Sequence, residues 1–114
     1  MPTLAAPARD FEQMTLAGKP TLDELRKRRD QILALADAHG ARNVRVFGSV
    51  ARGDAKEDSD IDLVVDFDAG RSLMDHGELI MDLEATLGCR VDVVSAKGLH
   101  DRFRDRVLAD AVPL

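Results

Sequence analysis

Tryptophan and tyrosine are absent from these 114 residues, and only four phenylalanines stand in their place. Proteins that grip single-stranded nucleic acid usually stack the bases on aromatic rings, so that class is disfavoured. There is no excess of positive charge either. Sixteen basic residues face 21 acidic ones, for a net charge of −5. A binder of phosphate backbones would be basic, and no sequence-specific nucleic-acid binding is expected. Cysteine occurs once, at Cys89, which rules out an internal disulfide and leaves no partner for a zinc cluster. That usage fits a reducing cytosol, and a cytoplasmic location is expected. No apolar run approaches membrane-spanning length. The N-terminus lacks a basic segment followed by a long apolar one, so no signal peptide is expected.

What is present describes one folded domain. Hydrophobic residues make up 45% and charged residues 32% of the chain, a balance that supports a modest core. Residues 1–19 carry Pro2 and Pro7 without sustained periodicity. They are expected to form a loose arm, with one helical turn near Phe11, ahead of a domain over residues 20–114. Thr21 with Glu24 has the spacing of a capping box, and Leu22, Leu25, Ile32, Leu33 and Ala36 continue one helix as far as Gly40. Val44 to Phe47 reads as a strand, Ser49 to Arg52 as a short helix, and Ile61 to Phe67 as a buried strand. Ser72 and Asp75 repeat the capping pattern before a helix with Leu73, Ile80, Leu83 and Leu87 on one stripe. Val91 to Val94 is a third strand. Leu99, Phe103 and Val107 mark a last amphipathic helix that Pro113 ends. Helices between strands imply an α/β (α+β) layer: a small mixed sheet with helices packed mainly on one face.

Negative charge concentrates late in the chain, with −6 from Asp60 onward. Side chains alternate along a strand, so Asp60 and Asp62 share a face while Ile61, Leu63 and Val65 turn to the core. Their Cα atoms lie ~7 Å apart, close enough to hold shared cations. Left uncompensated, the pair repels and one pKa rises. Hard divalent cations, Mg²⁺ above all, relieve that repulsion and take oxygen ligands. Asp92 is out of phase with Val91 and Val93, and reaches the same site if the third strand lies beside the second. Three such carboxylates suit two-metal phosphoryl transfer, with Asp92 near the nucleophile as candidate general base. Gly48 lets backbone approach a phosphate closely. Ser49 is expected to cap the short helix and offer its hydroxyl and N–H to a terminal phosphate oxygen. Arg52 would touch the phosphates or brace the loop, and Ser59 would hold the loop before Asp60. His39, His76 and His100 lack metal-ligand spacing and are expected at the surface or at helix ends. Asp66 and Asp68 are expected to be solvated.

The segments Gly48-Ser49-Val50-Ala51-Arg52-Gly53 and Ser59-Asp60-Ile61-Asp62-Leu63 resemble the signature of the polymerase-beta-like nucleotidyltransferases. The small size resembles the minimal nucleotidyltransferases, or MNT proteins, of prokaryotes. That resemblance extends from about Val44 to the C-terminus. It implies the fold of that superfamily, and Mg²⁺-dependent transfer of AMP from ATP, with two ions expected. Metal binding would fall to Asp60, Asp62 and Asp92, and triphosphate binding to Gly48 and Ser49. It further implies an antitoxin that binds a HEPN-domain ribonuclease toxin and adenylylates a tyrosine near the toxin's active site. Two rivals remain: neutralisation by binding alone, and transfer to a small drug-like hydroxyl as in aminoglycoside-modifying enzymes.

Overall fold

A computed structural model describes residues 19–114. The arm expected over residues 1–19 therefore falls, except for Lys19, outside the described residues, as does the turn expected near Phe11.

Two helices open the domain, α1 (Leu22–Lys27) and α2 (Arg29–Ala38). Thr21 caps α1 by accepting a hydrogen bond from the Glu24 N–H at 3.1 Å. The single helix expected here is divided at Arg28, whose N–H reaches back to the Leu25 carbonyl. That shorter bond tightens one turn. Apolar spacing does not register the break, because Leu25 and Ile32 stay buried on either side of it.

The strand β1 (Ala41–Phe47) leads into α3 (Gly48–Arg52), then β2 (Ile61–Phe67), α4 (Leu73–Leu87) and β3 (Val91–Ser95). A short 3₁₀ turn and α5 (Asp101–Asp110) precede β4 (Val112–Pro113). The sheet order is β3-β2-β1-β4. Antiparallel pairing joins β1 to β2 and to β4, whereas β2 and β3 run parallel. The sheet is thus small and mixed, as the alternation of elements implies. The sequence reading overlooked β4. Pro113 was expected to end the last helix, but that helix stops at Asp110, and Pro113 pairs with Arg45 on the sheet edge. An edge tolerates a residue without an N–H.

One face of the sheet buries Val46, Ile61, Leu63, Val65, Val91 and Val93 beneath α1, α2 and α4. Along α4 the buried stripe is Leu79, Leu83 and Leu87, with Ile80 half-buried. Leu73 does not belong to it and is 88% exposed. It precedes Leu79 by six residues, about 240° around a helix, which turns it away from the sheet. The helix starts where expected: Ser72 and Asp75 form a complete capping box. Ser72→Ala is expected to cost about 1 kcal/mol, seen in a melt as a midpoint roughly 4–8 °C lower.

The opposite face is only half covered. There Val107 of α5 and Ala96 pack on Val64, with Phe47, Val94 and Leu99 around them. The other half carries the aspartates. No helix among the described residues is long and apolar enough to cross a membrane.

Candidate active site

Parallel pairing sets Asp62 directly beside Asp92. Their neighbours Ile61, Leu63, Val91 and Val93 are all buried on the core side, which fixes the two carboxylates on the open one. Asp60 lies two residues earlier, just ahead of β2, in the same phase. Of the three, Asp92 is exposed, while Asp60 and Asp62 are half-buried.

The register also pairs Asp62 with Phe47, the last residue of β1, so Gly48 is the next residue along. Gly48 has φ +74°, and a Cβ built on it would lie 2.4 Å from Asp62 Oδ2. Glycine is needed here twice: for its backbone conformation, and because the Asp62 carboxylate fills the space a side chain would take. The turn and the acidic strand therefore make one site.

The electrostatics agree. The Asp62 carboxyl is pushed from 3.8 up to about 6, first by burial, then by the Asp92 and Asp60 charges, and is eased by Arg52. Burial and the two neighbouring charges together disfavour its ionised form. Asp60 has found a partial substitute: its Oδ1 lies 3.1 Å from Arg90 Nε. Among the described residues, no three carboxylate, histidine or cysteine side chains are gathered tightly enough to enclose a metal ion as they stand. Mutual repulsion and the pull of Arg90 both oppose such closure. The donor set is nonetheless all oxygen, as hard cations prefer, and the charge on Asp62 is undercompensated. In donor type these residues fit a divalent cation.

Ser49 departs from its expected place. Phe47 holds the N-cap position with no side-chain cap bond, and Ser49 lies inside α3. Its carbonyl accepts the Asp54 N–H at 3.0 Å, which anchors the loop. Arg52 is engaged as a brace, with Nη1 2.8 Å from Asp110 and Nε 3.4 Å from Asp54. The Ser59 hydroxyl accepts the Lys56 N–H at 2.8 Å, so it closes the loop ahead of Asp60. Asp66 and Asp68 are not simply solvated: Arg45 and Asn43 bind the first, and Arg42 the second.

The histidines stand apart. His39 ends α2 and meets Asp82 at 2.8 Å. His76 bonds to the Val93 carbonyl and leans on Phe67, and His100 precedes α5. Sequence reading passed over Arg90, although its place two residues before Asp92 puts both in one phase of the strand.

A family model described as nucleotidyltransferase domain matches residues 22–114. The chain belongs to that family and is a nucleotidyltransferase. Protein adenylyltransferase MntA of Thermococcus cleftensis is 46% identical to it over 78 residues, which span 68% of this chain and 79% of that protein. A solved structure described as a minimal nucleotidyltransferase is 56% identical, with a TM-score of 0.75 over 83% of this chain and 97% of its own. An MNT antitoxin in complex with a tri-AMPylated HEPN toxin of Shewanella oneidensis is more distant. It is 19% identical, with a TM-score of 0.61 over 77% of this chain and 69% of its own, and that likeness extends to the fold alone. The minimal nucleotidyltransferase fold thus agrees with the resemblance carried by the two sequence segments.

Proposed function

We propose that this nucleotidyltransferase moves AMP from ATP to a hydroxyl on a HEPN-type partner protein, and so acts as the antitoxin to that partner. One observation carries the reading: the Asp62 carboxylate sits in the space of the Gly48 side chain, beside Asp92, on the uncovered half of the sheet. Support comes from the relative named as a protein adenylyltransferase, and from the AMPylated toxin held by the distant MNT antitoxin.

Asp60, Asp62 and Asp92 would hold Mg²⁺, which when bound neutralises triphosphate charge and lowers the pKa of an attacking hydroxyl. Gly48 lets the triphosphate lie against the backbone, and the Ser49 hydroxyl and N–H take a terminal phosphate oxygen. Asp92, the most exposed carboxylate, accepts the proton of the acceptor hydroxyl. That oxygen bonds to the α-phosphorus as the α–β bridge breaks, and pyrophosphate leaves with the bonding electrons. Arg52 and Ser59 keep the loop in place.

The acceptor must approach an open face. The uncovered half of the sheet leaves Asp92 exposed, which suits a protein acceptor better than a free small molecule. The test is to incubate the chain with Mg²⁺, ATP labelled at the α-phosphate, and the product of the adjacent gene. Label should appear on that partner, and its ribonuclease activity should fall. Label on an aminoglycoside instead would favour the small-molecule reading. Full neutralisation by a chain carrying both Asp60→Asn and Asp62→Asn would favour binding alone.

A further inference from the structure

A cleft of about 180 Å³ opens beside Gly48, between the β1–α3 turn and α5. Phe47, Arg52, Phe103, Arg106, Val107 and Asp110 line it, the Asp110 carboxylate being paired with Arg52. Its two cations differ in state. Arg52 is already committed to Asp110 and Asp54. The Arg106 guanidinium has no hydrogen bond or ion pair among the described residues. It is an exposed cation on a chain of net charge −5.

Phe103 is the second anomaly. It lies one turn before the buried Val107, yet keeps 49% of its surface in solvent. Residues three apart on a helix are neighbours, so its ring lies next to the Arg106 stem. The cleft thus presents one cation, one free aromatic face, and an opening onto the turn where the site begins. A nucleotide has the complementary parts: a charged phosphate chain and a flat base.

We propose that this cleft seats the nucleotide, with Arg106 binding its phosphate chain and Phe103 stacking on its base. The assignment rests on the nucleotide-transfer reading above and adds two residues to it. Guanidinium groups pair well with phosphate oxygens, and an aromatic face stacks on any base.

Calorimetric titration tests it with two ligands in Mg²⁺: a non-hydrolysable ATP analogue and inorganic tripolyphosphate. Arg106→Ala is expected to weaken both by about tenfold, with Arg106→Lys recovering part of the loss. Phe103→Leu keeps the apolar bulk but removes the ring, and is expected to weaken the analogue by about tenfold while sparing tripolyphosphate. Both side chains are exposed, so melting curves should not move. Unchanged analogue affinity in both variants would overturn the proposal. So would a raised KM for the protein acceptor with nucleotide affinity intact, which would make the cleft part of the acceptor's seat. A parent chain that binds neither ligand sinks the transfer reading as well. If the parent binds nucleotide but labels no partner, only the choice of acceptor falls.

Discussion

Gly48→Ala is expected to cut nucleotide transfer by about a hundredfold or more while leaving the protein folded. Two effects act at this position, and they fall on different properties. The φ of +74° is strained for any residue with a side chain, which costs about 1–3 kcal/mol of stability. Separately, the new Cβ would lie 2.4 Å from Asp62 Oδ2. That atom is the free end of a side chain rather than backbone, so the clash is relieved by turning the carboxylate aside. The fold survives and the site does not, because a displacement of about 1 Å in a catalytic group can cost a hundredfold in rate. Gly53→Ala is the matched control. Its φ is +82°, and a Cβ there meets nothing within 4 Å. It should lose similar stability in a denaturant titration yet keep its transfer rate. Equal activity in the two variants would mean that Asp62 need not stand where it does.

The comparison of these glycines bears on what a linear sequence discloses. The positive φ at Gly48 is a local property, and glycine after a strand suggests it. The contact with Asp62 is not local, since it depends on the pairing of β1 with β2. Period-two alternation sufficed to put Asp60, Asp62 and Asp92 in phase: buried apolar residues flank Asp62 and Asp92, and Asp60 is two residues before Asp62. Whether the three enclose a cation was not legible. That depends on side-chain rotamers and on Arg90, whose hold on Asp60 is a tertiary contact. Val64 is what made Ile61 to Phe67 legible as a buried strand. It breaks the alternation by being apolar on the acidic face, and it is fully buried because α5 covers that half of the sheet. An apolar run with both phases filled implies a strand buried on both sides. The two-residue β4 is too short for any periodic pattern, and tertiary pairing alone defines it.

Asp62→Asn should have opposite effects on stability and on activity. Transfer should fall by about a thousandfold, the loss expected when a charge-stabilising carboxylate leaves a phosphoryl-transfer site. Thermal stability without metal should rise. The folded Asp62 carboxyl titrates at about 6 against 3.8 in its ordinary setting, so the folded state binds this proton more tightly than the unfolded chain. Its ionisation therefore opposes folding, in full above pH 6 and not at all below pH 3.8. Asparagine cannot ionise and removes that opposition. At pH 7.5 the variant should melt roughly 2–5 °C above the parent, a modest gain because the group is partly solvated. The gain should shrink as pH falls from 6 and vanish near 4. Mg²⁺ should raise the melting point of the parent and close the gap, since a bound cation stabilises the ionised carboxylate that burial and its acidic neighbours disfavour. A variant that melts below its parent at pH 7.5 would mean that Asp62 is held by favourable contacts rather than disfavoured by burial and its acidic neighbours. A pH-independent gain would assign the effect to packing. The sign of one melting shift thus tests whether this carboxylate is kept for what it binds, at the expense of the fold that carries it.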